Sequence, residues 1–446
     1  MRRSVGAASA LAAVAVGLTV LLASCAGSSR ETIRIGVISA CRGFLAPYND
    51  QSLAGAELPF IQRGARLRGA NPSDGVGEIS LGSKRVELVL GCETGGTPAT
   101  TLAEARRLVE REGANAVVAP FWYGDGLVVR EYARTRTDIV FSDASNEPQT
   151  TLDRPAPNMF RFNLDWAQSI AGLGAYAYRD LGWRKVVTLG DDDPSGWPNV
   201  SGFVAEFCSL GGTVVKRLWV PPGVGDWRAV IAQIPRKGVD GVLFAGQLQD
   251  PAGFYNVYAV QHPDLARRVV VSGLTLVHTS RLTPPLLGLV GSWDNPFGTT
   301  VAAWERYANE FRRTFKNPDG TILPGNAAVN YYNATEALLE ALTRVHGDVS
   351  HHENRLMTAL RDLRLDSPKG SIRLDGDRQA VGPAFLSRVW RDAQGQLTIQ
   401  TFKVVPGVEQ TFGGYFGART PAASETRPRC RHGHPPAWAL SSRAGP

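Results

Sequence analysis

The chain has 446 residues, 43% of them hydrophobic and 20% charged. That is enough for two or three domains, each with its own core, and it excludes a collagen, a coiled coil, a disulfide miniprotein and wholesale disorder. The formal charge of +7 sits at the ends: Arg2 and Arg3 open the chain, and five arginines against Glu425 come after Gly417. The body between them is close to neutral, which argues against a nucleic-acid partner.

Met1-Arg2-Arg3 precedes an uncharged, mostly apolar run to Ser24, the layout of an export signal. The run is about long enough to span a bilayer as an uncleaved anchor. The residues at its end argue for a lipoprotein instead. Leu22-Ala23-Ser24-Cys25 resembles a bacterial lipobox, in which Cys25 takes a diacylglyceryl group and becomes the new N-terminus. Residues 26–31 then form a tether. An exported chain meets an oxidising compartment, so disulfides are permitted.

Further along, short β-branched runs alternate with segments of helical period, the signature of an α/β protein. Strands are predicted at 33–39, 86–91, 116–119 and 138–142, and again at 185–190, 213–220, 241–246 and 269–272. Helical patterns lie between them at 101–112, 167–181, 199–210 and 227–234. Strands that are apolar throughout imply parallel sheets covered on both faces. Two sets in succession predict two doubly wound lobes. Helices are then predicted at 301–315, 327–345 and 353–363, before a hairpin of strands 384–391 and 397–404. Residues 417–446 read as a disordered basic tail. If the first two strands are parallel neighbours, Cys41 and Cys92 end at the same edge, and a disulfide between them is expected. Cys208 reads as a small buried hydrophobe, and Cys430 as part of the tail.

The motifs of hydrolases, P-loop proteins and zinc peptidases are absent, and no cofactor is expected. Asp191-Asp192-Asp193 could hold a cation for a secreted metal-dependent enzyme, but before Pro194-Ser195-Gly196 it reads better as a turn. The remaining chemistry gathers where open α/β sheets bind ligands, in the loops beyond the carboxyl ends of strands. These loops carry Trp122, Tyr123, Gly124, Ala144 and Ser145 in the first lobe. In the second they carry Ser195, Trp197, Gln247 and Asp250. Polar and aromatic loops at matching positions in two lobes suggest a ligand in the cleft between them.

Across roughly residues 32–410 the chain resembles the leucine/isoleucine/valine-binding family of solute-binding proteins for ABC importers, within the type 1 periplasmic-binding fold. The resemblance rests on Ile33-Arg34-Ile35-Gly36-Val37-Ile38, Gly55-Ala56-Glu57 and Val117-Val118-Ala119-Pro120. It continues through Ser142-Asp143-Ala144-Ser145-Asn146, Met159-Phe160-Arg161, Asp165-Trp166-Ala167-Gln168, Asp240-Gly241-Val242-Leu243-Phe244 and Tyr331-Tyr332-Asn333-Ala334. It implies two lobes joined by a three-strand hinge that close on a small ligand, usually an amino acid. Lobe one would be 32–157 with 280–376, and lobe two 158–279 with 377–412. It places Tyr123, Gly124, Ala144 and Ser145 on first-lobe contacts, and Ser195, Gln247 and Asp250 on second-lobe contacts. The implied partners are the permease subunits of an importer, with a membrane signalling protein as the alternative. Two departures bear on the ligand: Trp122-Tyr123-Gly124-Asp125 replaces a Ser-rich loop, and Asp143 stands where Gly is common. Extra negative charge disfavours an anionic ligand end, which argues against a plain branched-chain amino acid and leaves amides, urea-like solutes, aromatic compounds and cations open.

Overall fold

The computed structural model describes residues 31–440 except 44, 95–96, 121–122, 222–223, 247–250, 266, 278–281, 317–319, 321 and 351–354. Cys25 and the export signal lie outside the described residues. Six strands build the first sheet: β1 (Thr32–Ala40), β2 (Ile79–Leu81), β3 (Lys84–Glu93), β4 (Ala116–Val118), β5 (Val140–Ser142) and β6 (Met159–Phe160). Their order is β2-β3-β1-β4-β5-β6, parallel except for the hairpin of β2 on β3. The alternating side chains of β1 enter two cores: Ile33, Ile35 and Val37 pack on one face, and Ile38 on the other with Val117 and Phe141. Burial on both faces is why these strands are apolar throughout.

The second sheet holds β7 (Lys185–Asp191), β8 (Thr213–Val220), β9 (Gly241–Ala245), β10 (Val269–Ser272) and β11 (Val290–Trp293), with β12 (Arg364–Ser367), β13 (Gly370–Leu374), β14 (Ala380–Arg391) and β15 (Leu397–Val408). Its order is β12-β13-β14-β11-β10-β9-β7-β8, and β15 pairs with β14. Phe244 of β9 stacks on Phe254 at 4.3 Å, and Trp227 packs edge-on against both. Ring pairs of this geometry add to the burial of their area.

Several local features differ from the sequence expectation, each for a physical reason. The periodic stretch 167–181 is not one helix. Gly172 takes φ +87°, and the Glu206 carboxylate accepts the backbone N–H of Gly172 and of Gly174, both at 2.9 Å. That caps Leu173–Ala175 as a new start after the break. Strand β11 lies inside 280–376 yet belongs to the second sheet, parallel to β10. Its sequence VGSW is too short to show a period. The helices of that stretch do serve the first lobe: Asn326–Arg344 crosses Asn49–Gln62 so closely that a Cβ on Gly55 would collide with the Ala328 carbonyl.

The cysteines and the tail bring the largest change. Cys41 is bridged to Cys92, at the ends of the paired strands β1 and β3. Cys208 is not a lone hydrophobe but is bridged to Cys430. The segment after Gly417, as far as Leu440, is packed against the second lobe rather than disordered. Buried Trp438 donates from Nε1 to Glu206 Oε1 at 2.9 Å and meets Phe412 edge-on. Tyr415 receives the Arg431 N–H on its hydroxyl at 2.6 Å, and the Arg431 guanidinium lies over its ring. A few aromatic anchors and one disulfide offset the ordering entropy of a Pro/Arg-rich segment that its composition alone would leave loose.

Candidate functional site

Parallel strands β1, β3, β4 and β5 all end on one edge of the first sheet, so the loops beyond them share one surface. Glu93 ends β3 buried, accepting from the Thr100 hydroxyl and from Thr97 N–H. Asp125 sits in the first turn of the helix Tyr123–Thr135 and is 4% exposed. Burial, reinforced by the nearby Glu93, pushes its carboxyl up to about 6 against a pull from Thr101. Gly124 opens that helix half-buried, and a Cβ there would touch only Pro98.

After β5, Ala144 and Ser145 are fully buried. The Ala144 carbonyl accepts from Asn330 Nδ2 at 3.3 Å, and the Ser145 carbonyl accepts from Asn163 Nδ2 at 2.7 Å. Ser145 N–H donates to Asp143 Oδ1 at 2.8 Å, and its hydroxyl accepts from Glu147 N–H at 3.4 Å. A Cβ on Gly126 would come within 2.8 Å of Ser145 Oγ, so the helix backbone lies directly against this hydroxyl.

Beneath the loop runs a polar network that the sequence reading did not single out. Arg161 comes just after β6 with its side chain fully buried, 3.5 Å from the equally buried Asp143. It also donates to the Glu147 carbonyl, the Thr151 hydroxyl (2.6 Å) and Gln379 Oε1. Gln379 precedes β14, and its amide donates to Asn163 O and Gln168 Oε1. Gln410 lies beyond β15 and donates to Thr151 Oγ1 and Asp165 Oδ2. Thus residues flanking strands of both sheets converge on one guanidinium where the chain passes between lobes. Desolvation raises the Asp143 carboxyl while Arg161 pulls it down. The Asp143 charge expected to repel an anionic ligand end is therefore taken up by Arg161 and by the Thr150 hydroxyl at 2.8 Å. A buried arginine after an apolar strand, and a glutamine at each outer end of a long hairpin, were the signals the sequence offered.

On the second lobe, Asp193 Oδ1 accepts from Ser195 N–H (2.7 Å), Ser195 Oγ (2.6 Å) and Gly196 N–H (2.8 Å). Asp192 accepts Trp197 Nε1 at 3.0 Å. Asp193 thus ties together the turn that leads into the helix Gly196–Ser209, and Asp192 holds the Trp197 ring on its first turn. Among the described residues no group of carboxylates, histidines and cysteines is placed to hold a metal. Ser195 is fully buried in this turn. Trp197 lines a cavity of about 260 Å³ with Glu147, Pro148 and Leu152 of the first lobe; Ala144, Ser145 and Ser195 are not in its walls. Trp122, Gln247, Asp250 and the Tyr123 side chain lie outside the described residues.

Comparison with known proteins agrees with this architecture. A family model described as periplasmic binding protein matches residues 32–395. A Leu/Ile/Val-binding protein homolog 6 from Brucella suis is 23% identical over 402 residues, covering 86% of this chain and 95% of that protein. An ABC transporter substrate-binding protein from Sphaerobacter thermophilus superposes with a TM-score of 0.71 at 21% identity, over 85% of this chain and 99% of that one. A solute-binding protein of an ABC transporter from Rhodopseudomonas palustris BisB5, in complex with 3,4-dihydroxybenzoic acid, gives 0.68 at 20% identity, over 85% and 98%. Two sheets whose strand ends face one cleft, a polar hinge between them and a matched span of most of the chain lead to one conclusion: the chain belongs to the periplasmic binding protein family.

Proposed function

We propose that the protein captures a small carboxylate-bearing solute outside the cytoplasm and presents it to the permease of an ABC importer, without chemistry of its own. The observation that carries this reading is the Arg161 network, which joins both lobes directly beneath the loop of Ala144 and Ser145. Ligand contacts made in both lobes at once would bias a two-state hinge toward closure. With Asp143 paired to Arg161, the first-lobe loop does not repel an anionic ligand end. The name of the Brucella relative and the dihydroxybenzoate in the Rhodopseudomonas protein both support a small carboxylic acid, aliphatic or aromatic. The ligand set would be Trp122, Tyr123, Gly124, Ala144 and Ser145 against Ser195, Trp197, Gln247 and Asp250.

Mass spectrometry of small molecules released by denaturing the purified protein, then calorimetric titration with isoleucine and 3,4-dihydroxybenzoate, tests the ligand class. Release of only carboxylate-free compounds, with no heat from either acid, would refute it. Removing a charged partner from a dehydrated cleft costs about 2–5 kcal/mol. Asp250→Ala is therefore expected to weaken affinity about 30-fold or more, with the apo melting temperature unchanged. A lower melting temperature at constant affinity would mean that Asp250 only caps its helix.

Attachment to the membrane is proposed through diacylglyceryl on Cys25, since stable anchoring takes more than one acyl chain. Palmitate labelling should mark the wild type and not Cys25→Ser, which should leave the membrane. Among the described residues no helix is long and apolar enough to cross a membrane. A variant that stays membrane-bound, with no label in the wild type, would make residues 4–24 a plain anchor.

A further inference from the structure

The cleft between the lobes has a third wall. Leu127 and Leu152 line it from the first lobe and Trp197 from the second, but Phe416 and Ala423 come from the segment after β15. That segment lies beyond residues 32–395, the span of the family match. Glu147 and Trp197, two residues past the proposed contacts Ser145 and Ser195, wall the same space. The segment therefore borders the ligand cleft itself. It is tied to the second lobe on either side of this wall. Before it, Phe412 is fully buried and meets Trp438 edge-on. After it, Trp219 Nε1 donates to the Glu425 carbonyl at 3.1 Å, the Ser201 hydroxyl donates to the Arg427 carbonyl at 3.3 Å, and Cys430 is bridged to Cys208. Between these anchors, Thr420 N–H donates to the Gly417 carbonyl at 2.8 Å and Gly417 N–H to the Thr420 hydroxyl at 3.0 Å. A wall ordered in advance loses little conformational entropy when a ligand meets it.

We propose that the carboxyl-terminal segment, through Phe416 and Ala423, is a specificity-determining wall of the cleft, selecting solutes whose apolar body extends past Trp197. The inference rests on the reading of this cleft as a solute site, and adds which solutes fit it. Phe416, Pro421 and Ala423 share the walls with Leu127 and Leu152, and no lysine or arginine is among the described walls. The charged end of a solute therefore has its partners elsewhere in the cleft, and this end takes its apolar part. A cavity of about 150 Å³ already holds benzene, so about 260 Å³ has room for a ring. Each methylene buried here strengthens binding about fourfold. A short solute leaves this wall uncovered and forgoes that gain.

Benzoate and 4-phenylbutyrate share a ring and an acid and differ by a run of methylenes; benzamide and 4-phenylbutyramide repeat the pair without the charge. Calorimetry on the full chain should give the longer acid an advantage of about tenfold or more. Ala423→Trp, which fills the space at this wall, should cut that ratio to about twofold, and so should Phe416→Ala, which removes the ring the longer acid reaches. A merely structural loss lowers both affinities alike and leaves the ratio where it was. A wild-type ratio near one, or a ratio kept in both variants, would overturn the inference. Binding of the amides alone, with the same ratio and the same loss in the variants, would refute the carboxylate reading and uphold the wall. No saturable heat from any of the probes up to about 5 mM would overturn the wall as well.

Discussion

Arg161→Ala is expected to destabilise the protein by about 3–5 kcal/mol, the cost of stranding a buried charge without its partner. Asp143 lies at 0% exposure and would be left with the neutral donors of Thr150 and Ser145. Three further acceptors each lose one of their donors: the Glu147 carbonyl, Thr151 Oγ1 and Gln379 Oε1. Because Gln379 lies on the second-lobe side of the crossing, the damage reaches the hinge as well as the loop. Urea unfolding measures the cost. The double variant Arg161→Met with Asp143→Leu, which removes both charges and keeps bulk, should recover more than half of it. A loss below about 1 kcal/mol in Arg161→Ala would mean that water replaces the guanidinium and that the network does not hold the hinge.

The second large effect belongs to Glu57. Its helix Asn49–Gln62 packs under Asn326–Arg344, and among the described residues neither carboxylate oxygen has a hydrogen-bond partner. Burial, with Asp50 and Asp74 nearby, raises the carboxyl from 4.5 to about 9. The folded protein therefore holds a proton here that the unfolded chain releases above pH 4.5. The stability linked to this proton is complete below pH 4.5 and is lost as pH climbs toward 9. Glu57→Gln keeps the shape and removes the titration. Its advantage over wild type should be near zero at pH 4.5 and grow by about 1.4 kcal/mol per unit, toward about 3 kcal/mol at pH 7. Urea unfolding of both proteins at pH 4.5, 6 and 7.5 reads the slope, and all other titrations cancel in the comparison. A difference independent of pH would show that Glu57 is ionised in the fold.

The strands that the sequence made legible are those long enough to carry a pattern: β7 and β9 hold unbroken apolar stretches, β1 and β3 alternate in part, and either signal survives without context. β6 and β11 have two and four residues, and only the neighbouring sheet makes them strands. The stretch 167–181 failed as a helix because Gly172 needed a carboxylate from residue 206, which no local pattern announces. The tail misled in the same way: Trp438 and Cys430 gain their partners from residues more than 200 positions away. At the site, the loops after β4 and β5 could be placed because strand ends are predictable. Arg161 could not, since its meaning depends on Gln379 arriving from the other lobe.

Small-angle scattering of the purified protein, with and without the solute identified by mass spectrometry, tests the central claim most directly. A solute held between two lobes on a three-strand hinge should reduce the radius of gyration, saturating at the concentration that calorimetry gives for binding. Identical scattering profiles at full occupancy would contradict closure, and with it the account of this chain as a hinge-driven solute receptor.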